Sequence, residues 1–163
     1  MDYVYLGKIV TTHGIKGEVR ILSDFYEKDK IFIEGRNLYV GNSHERLEMV
    51  TYRVHKGYDM VTFKGYDNIN QVLKYKGLPV YFKRSEVELD ENEYLLSDLI
   101  GFNIREDGKI LGKVLDIVYN NSNILLDIDD RFYIPIKGDF IESVNLKENI
   151  IETKNAKDLM IWK

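Results

Sequence analysis

The sequence predicts an all-β protein built from two small β domains. Its 163 residues include 18 isoleucines and 13 valines but only one alanine, Ala156. β-Branched side chains favour strands, whereas helical bundles are rich in good helix formers such as alanine. Short turn signals separate the apolar runs, and the sign of the net charge changes along the chain. These observations exclude a helical bundle and favour two β domains.

Six strands are predicted in the first half, each a run rich in β-branched and aromatic residues. The runs are 3–11, 17–22, 37–41, 45–55, 58–64 and 78–82. Short links such as Lys56-Gly57 predict antiparallel neighbours in a meander or a small closed barrel, here a six-stranded one. One short helix is expected before the last strand, with Asp67 as its cap and Gly77 at its end.

The second half predicts six further short strands. They are 101–105, 109–118, 124–128, 132–136, 140–144 and 150–153. The Asp107-Gly108 pair between the first two runs is the strongest hairpin signal in the chain. One short helix is expected from Ala156 to Ile161, where it would cover an open barrel end.

The charge distribution predicts the domain organisation. Residues 1–85 hold 14 lysines and arginines against 10 acidic residues, whereas residues 86–163 hold 9 against 17. A polar, highly charged stretch lies between the two halves, as in a solvated linker. We therefore predict an N-terminal β-barrel at 1–85, a charged linker at 86–93 and a C-terminal domain at 94–163. A single β domain with a charged loop is the alternative.

No catalytic constellation is recognisable in the sequence. Cysteine is absent, which excludes thiol nucleophiles and cysteine-ligated metals. The Gly14-Ile15-Lys16-Gly17 stretch lacks the phosphate-loop pattern, and Asp127-Ile128-Asp129-Asp130 resembles a strand end that enters a hairpin. The three histidines, His13, His44 and His55, lie at predicted turns without metal-ligand spacing. We expect no enzymatic activity, no metal and no cofactor.

The first half concentrates the residue types that contact RNA. It holds 13 of the 20 aromatic residues and 14 of the 23 basic ones. β Modules bind RNA by phosphate contact and base stacking, but tyrosines also fill barrel cores, so composition leaves both interpretations open. The chain has no leader pattern and no apolar run long enough to span a membrane, so we expect a cytoplasmic protein.

Residues 6–20, Leu-Gly-Lys-Ile-Val-Thr-Thr-His-Gly-Ile-Lys-Gly-Glu-Val-Arg, closely resemble the opening signature of the RimM family of ribosome maturation factors. The resemblance continues through Leu78-Pro79-Val80-Tyr81. It then covers Asp98-Leu99-Ile100-Gly101 and Tyr133-Ile134-Pro135-Ile136, which are similar to the PRC-barrel domain of that family. Nearly the whole chain is covered in the same order.

The resemblance implies a six-stranded, translation-factor-like barrel joined to a PRC barrel. It also implies a non-enzymatic factor that supports 16S rRNA processing during maturation of the small-subunit head. The implied partners are the small ribosomal subunit, a basic head protein, the nineteenth of the small-subunit set, and 16S rRNA, with no membrane and with the factor as a monomer. The family's Tyr-Tyr pair at the PRC entry corresponds to Tyr94 and Leu95, so Tyr94 matches and Leu95 departs.

Two contact sites are therefore predicted. The first is an N-terminal loop that contacts the ribosome or rRNA, because loops on rigid β scaffolds often carry binding residues and basic side chains there meet phosphate. Its residues are His13, Gly14, Lys16, Gly17, Glu18 and Arg20. The second is a ribosomal-protein contact at Tyr94 and Leu95. The alternative function is an acidic PRC-type adaptor that docks on another protein complex.

Overall fold

The computed structural model describes residues 2–120 and 122–162 and confirms the all-β fold class. The chain forms two compact units, one ending at Glu88 and the other beginning at Leu89. Each unit contains six strands.

The first unit is a closed six-stranded barrel, as predicted. Its strands are β1 Tyr3–His13, β2 Glu18–Leu22, β3 Asn37–Val40, β4 Glu45–His55, β5 Tyr58–Phe63 and β6 Pro79–Lys83. They are ordered β1-β2-β5-β4-β3-β6 around the barrel, and every neighbouring pair is antiparallel. The closed order places the β1–β2 hairpin beside the β4–β5 hairpin, because β2 pairs with β5.

Inward-facing aliphatic residues fill this barrel. The side chains of Ile9, Val19, Ile21 and Val61 have no exposed surface, and Val19 lies opposite Val61 in the β2–β5 pair. Burial of a side chain of this size contributes about 1.5–3 kcal/mol each to folding. The outward positions that alternate with these residues are therefore free to carry polar and aromatic groups.

Two short α-helices accompany the barrel, and only the second of them lies where a helix was predicted. Helix α1, Lys28–Ile31, places the Lys28 ammonium 2.8 Å from the buried Asp59 carboxylate. Helix α2, Ile69–Val72, continues as a 3₁₀ helix at Leu73–Tyr75. The prediction that Asp67 caps α2 is wrong. Asn68 holds the N-cap position with extended backbone, and its N–H donates to the Gln71 side chain.

Residues that follow β6 remain attached to the first unit. A 3₁₀ helix spans Arg84–Glu86. The buried Tyr39 hydroxyl donates its one hydrogen to the Glu86 carboxylate, whose two oxygens lie 2.9 and 2.8 Å away, and Arg36 donates to the Glu86 carbonyl at 2.6 Å. Burial and the Glu86 contact raise the pKa of Tyr39 to about 12. The segment predicted as a linker, 86–93, is thus divided between the two units.

The second unit contains a six-stranded sheet and two 3₁₀ helices. Its strands are β7 Asn103–Glu106, β8 Lys109–Asn120, β9 Asn123–Ile128, β10 Phe132–Pro135, β11 Ile141–Asn145 and β12 Ile150–Thr153. The order is β10-β9-β8-β7-β12-β11, and only the β7–β12 pair is parallel. The 3₁₀ helices are Leu96–Leu99 and Ala156–Trp162. The second of these matches the position predicted for the C-terminal helix.

Local turn chemistry and one buried carboxylate organise this unit. Asp107 and Gly108 have φ of 50° and 79°, the positive values of a type I′ turn, and they join β7 to β8 as predicted. The Glu106 side chain is only 4% exposed. It accepts hydrogen bonds from the Thr153 hydroxyl at 3.0 Å and the Ala156 N–H at 2.8 Å. These bonds tie the C-terminal helix to β7 and β12.

Candidate nucleic-acid interface

The turn between β1 and β2 is built around two glycines with different surroundings. Gly14 and Gly17 have φ of +70° and +87°, values that L side chains rarely adopt. A Cβ atom on Gly17 would lie 2.7 Å from the Tyr66 carbonyl oxygen, whereas one on Gly14 would meet nothing within 4 Å. The Ile69 N–H also donates to the Ile15 carbonyl at 3.0 Å. Close backbone contact therefore fixes the turn against the start of α2.

We expect Gly17→Ala to destabilise the barrel more than Gly14→Ala. Both changes strain a positive φ, which costs about 1 kcal/mol, but only the Gly17 change also forces the Tyr66 backbone to move. Chemical denaturation of both variants measures the difference in free energy of unfolding. Equal losses for the two variants would contradict the close packing of Gly17.

A cluster of basic and aromatic side chains covers the outer face beside this turn. The Arg20 guanidinium donates to His13 Nδ1 at 2.9 Å and lies 5.4 Å from the centroid of the Tyr58 ring. The His13 and His55 rings are 5.5 Å apart. An arginine cannot accept a hydrogen bond, so Arg20 is the donor and His13 Nδ1 is the acceptor in this contact. We call the residues His13, Arg20, Arg53, His55 and Lys56 the basic cluster.

One acidic residue, Glu18, binds the Arg53 side chain of the basic cluster. Its two carboxylate oxygens accept hydrogen bonds of 2.9 and 2.7 Å from the Arg53 guanidinium. This paired contact lowers the pKa of Glu18 and raises the pKa of Arg53. Loss of solvation and then the charge of Arg53 lower the pKa of His55. Arg20, Arg53 and Lys56 together outweigh Glu18, so the face attracts anions.

Lys16 extends the positive surface beyond the basic cluster. It is exposed in the turn and lines a shallow groove of about 460 Å³ together with Ile15, Thr51 and Thr62. The Ile15 side chain is 77% exposed at the tip of the same turn. The structure thus brings Arg20 into contact with His13. Glu18 lies opposite His13 in the β1–β2 pair and binds Arg53, and Lys16 lines the adjacent groove.

Sequence reasoning missed four residues of this surface, all from the β4–β5 hairpin. They are Arg53, His55, Lys56 and Tyr58. Lys56-Gly57 was predicted as a turn, and its φ values of 52° and 82° are those of a type I′ turn. The pairing of β2 with β5 is a long-range contact, and no local signal in the sequence specifies it. The closed barrel was predictable, but its strand order was not.

The two residues predicted at the PRC entry differ in accessibility. Tyr94 is partly buried and packs against the hydrophobic core of the second unit. The Leu95 side chain has no exposed surface, so it presents nothing to a partner in this structure. Leu95 also begins the 3₁₀ helix Leu96–Leu99, where its N–H donates to the Asp98 carboxylate at 2.9 Å.

The acidic run of the second unit stabilises turns. The buried Asp127 carboxylate accepts a hydrogen bond of 3.0 Å from the Asp130 N–H, and Asp129 pairs with Arg131 at 3.7 Å. Within residues 2–120 and 122–162, no group of three or more histidine or acidic residues is placed to hold a metal ion. Over the same part of the chain, no helix is long and apolar enough to cross a membrane.

Comparison with known families defines the class of protein. Residues 4–87 match the model of the RimM N-terminal domain, and residues 96–159 match the model of the RimM PRC barrel domain. The chain is thus a two-domain protein with a RimM-type barrel followed by a RimM-type PRC barrel. The two matches follow one another in the order of the two structural units.

Curated relatives give the same result over nearly the whole chain. The chain is 43% identical over 124 residues to the ribosome maturation factor RimM of an Exiguobacterium species, covering 74% of this chain and 72% of that protein. It is 36% identical over 164 residues to the protein of that name from Staphylococcus haemolyticus, covering 96% of this chain and 98% of the relative. The chain belongs to the RimM family.

A solved structure is also similar to the chain. It is the crystal structure of a putative 16S ribosomal RNA processing protein RimM from Pseudomonas aeruginosa. The identity is 24%, the similarity covers 97% of this chain and 100% of that one, and the TM-score is 0.47.

Proposed function

We propose that this chain is a non-enzymatic maturation factor for the head of the small ribosomal subunit and supports 16S rRNA processing. The observation that carries the proposal is its similarity, over nearly its whole length, to relatives named ribosome maturation factor RimM. We further propose that it acts in the cytoplasm as a monomer. In this role rRNA processing depends on the factor without being catalysed by it.

The basic cluster is proposed to face the phosphates of rRNA. Arg20, Arg53 and Lys56 present charge on one side of a rigid barrel, and Lys16 extends it along the turn. Phosphate contacts supply most of the affinity of such surfaces and position the protein without reading sequence. The predicted loop residues Gly14 and Gly17 support this role through the shape of the turn.

The second unit is proposed to bind a basic ribosomal protein of the head, the nineteenth of the small-subunit set. Residues 89–163 carry 15 acidic residues against 9 basic ones, and complementary charge speeds and orients docking on a basic partner. The side chain of Tyr94 is the proposed anchor, because it is partly exposed whereas Leu95 is not.

Phosphate binding by the basic cluster is expected to strengthen as pH falls. The pKa of His55 is lowered in the free protein, first by loss of solvation and then by the charges of Arg53 and Lys56. A bound phosphate favours the protonated ring, so affinity rises as pH falls through the bound-state pKa and levels off below the free-state pKa.

Affinity for a short RNA, measured between about pH 5 and pH 8, checks this expectation. His55→Gln should flatten the profile. Lys56→Gln is the matched control and should weaken binding at every pH while leaving a pH slope. A flat profile for the unchanged protein would show that His55 lies away from the bound phosphate.

Co-sedimentation tests the proposed function. The full chain is mixed with precursor small subunits, mature small subunits and complete ribosomes, and its distribution across a density gradient is measured. The proposal predicts association with precursor small subunits and much less with complete ribosomes. Absence of association with any of the three particles would favour the alternative, an acidic adaptor for another protein complex.

A further inference from the structure

A second group of aromatic side chains lies on the outer face of β1, β6 and β3. Tyr5 of β1 is directly opposite Tyr81 of β6, and Tyr3 is opposite Lys83. Residues two apart in a strand face the same side, so these four side chains share one surface. His44, from the turn after β3, joins them. We call Tyr3, Tyr5, His44 and Tyr81 the aromatic platform.

The rings of the platform contact one another in a continuous series. His44 stacks on Tyr3 with centroids 3.9 Å apart and an interplanar angle of 11°. It meets the Tyr81 ring edge-on at 4.8 Å, and Tyr81 meets Tyr5 edge-on at 5.9 Å. Tyr5 remains 56% exposed at the end of the series. The exposed Tyr5 ring is therefore positioned by its contact with the other rings of the platform.

Hydrogen bonding separates these tyrosines from those that hold the barrel together. The hydroxyls of Tyr39, Tyr52 and Tyr75 each donate to a carboxylate, on Glu86, Asp59 and Glu45 respectively. Among the residues that the structure describes, the hydroxyls of the platform tyrosines have no such partner. Buried tyrosines in proteins usually pair their hydroxyls, so the platform hydroxyls do not help to hold the barrel together. Only the Tyr3 ring, edge-on against Tyr39 at 5.2 Å, also contacts one of the paired tyrosines among the ring contacts described.

Two basic side chains lie near the platform, and the nearby Asp2 carboxylate is hydrogen-bonded to Ser85. Lys83 Nζ lies 5.4 Å from the centroid of the Tyr3 ring and 5.1 Å from that of Tyr39. The exposed Arg46 is opposite Tyr39 in the β3–β4 pair. The nearby Glu86 carboxylate is already bound by the Tyr39 hydroxyl. Stacked rings bordered by cations complement an unpaired nucleotide, which offers a flat base and an anionic phosphate.

We propose that the aromatic platform binds single-stranded RNA by base stacking on Tyr5 and Tyr81, with Lys83 on the adjacent phosphate. The proposal rests on the proposed function, since rRNA is its natural ligand. It adds a second RNA contact to the first unit. The platform takes its residues from β1, β6 and the turn after β3, whereas the basic cluster takes its residues from the end of β1, from β2, from β4 and from the β4–β5 turn. The basic cluster binds phosphates, whereas the platform requires bases that are free of pairing.

Fluorescence anisotropy with a labelled single-stranded oligonucleotide and the full chain tests this. Tyr5→Ala with Tyr81→Ala should weaken binding about tenfold, the effect of losing base–aromatic stacking. Tyr5→Phe with Tyr81→Phe should keep the affinity, because stacking needs the ring and not the hydroxyl. Tyr26→Ala removes an equally exposed tyrosine, 53% accessible, from outside the platform and should change nothing. Lys83→Gln should lower the salt slope by about one.

Photocrosslinking keeps the test decisive if the alanine variant is unstable. An oligonucleotide that carries 4-thiouridine is irradiated with the unchanged chain, and the linked peptides are identified by mass spectrometry. Linkage at Tyr5 or Tyr81 supports the proposal. Linkage elsewhere alone, or an unaltered affinity in a folded alanine variant, overturns it. The proposal is also overturned if the alanine variant loses affinity for a basic ribosomal protein but keeps its affinity for RNA.

The oligonucleotide result and the co-sedimentation result are independent. If the unchanged chain binds the oligonucleotide but does not associate with small subunits, the proposed function is contradicted and the platform proposal is not. If the alanine variant associates normally with small subunits and also keeps its oligonucleotide affinity, only the platform proposal is contradicted.

Discussion

Lys16→Glu combined with Lys56→Glu is expected to weaken association with rRNA-containing particles by roughly ten- to hundredfold, with a salt slope smaller by about two. Both side chains are exposed, and Lys56 belongs to the basic cluster whereas Lys16 extends the positive surface beside it. Each reversal removes one phosphate contact and adds repulsion. Binding measured at several salt concentrations gives both the affinity and the slope.

A matched variant controls for the change in net charge. Lys76→Glu with Lys109→Glu alters the total charge equally, at exposed positions that do not belong to the basic cluster. We expect its affinity for the particles to stay close to that of the unchanged chain. Equal weakening in both variants would mean that overall charge, and not the cluster, determines binding.

Glu106→Ala is expected to lower the free energy of unfolding of the second unit by about 3 kcal/mol. The change leaves the buried Ala156 N–H without its acceptor. It also removes the shorter of the two hydrogen bonds of the Thr153 hydroxyl, which retains the Arg105 carbonyl oxygen at 3.4 Å. Each unsatisfied buried donor costs about 1–3 kcal/mol. The 3₁₀ helix that begins at Ala156 loses its attachment to β7. The protection of its backbone amides against hydrogen exchange should therefore fall first.

Amide hydrogen exchange resolves this effect by unit. Glu106→Gln keeps a carbonyl acceptor of nearly the same shape and should cost much less. Glu142→Ala removes an exposed carboxylate from the same unit and should cost almost nothing. Full protection of Ala156 in the Glu106→Ala variant would show that the carboxylate is not the attachment point.

Elements with local signals were predictable from the sequence. The bounds of β4 and β12 match the predicted runs at both ends, because each is a β-rich run bounded by turn residues. The Asp107-Gly108 hairpin was predictable for the same reason. Helix α1 was not, since its four residues are stabilised by the ion pair between Lys28 and Asp59, which lie far apart in sequence.

The candidate site was only half predictable. His13 and Arg20 are close in sequence on one hairpin, and alternation along the strands places them together. Arg53 and His55 join them only because β2 pairs with β5 around the closed barrel. The aromatic platform likewise depends on the β1–β6 pairing, which places Tyr5 opposite Tyr81 although the two residues are far apart in the sequence. Local patterns do not specify such long-range pairing.

Site-specific photocrosslinking on small subunits tests most directly whether the first unit contacts rRNA and the second unit contacts a basic ribosomal protein. A photoreactive amino acid is placed at Lys56, in the basic cluster, or at the exposed Asn92, near Tyr94. The full chain is irradiated on precursor small subunits, and the linked molecule is identified. We predict 16S rRNA at position 56 and a basic head protein at position 92. Linkage of both positions to the same protein, or to each other's predicted partner, would contradict the account.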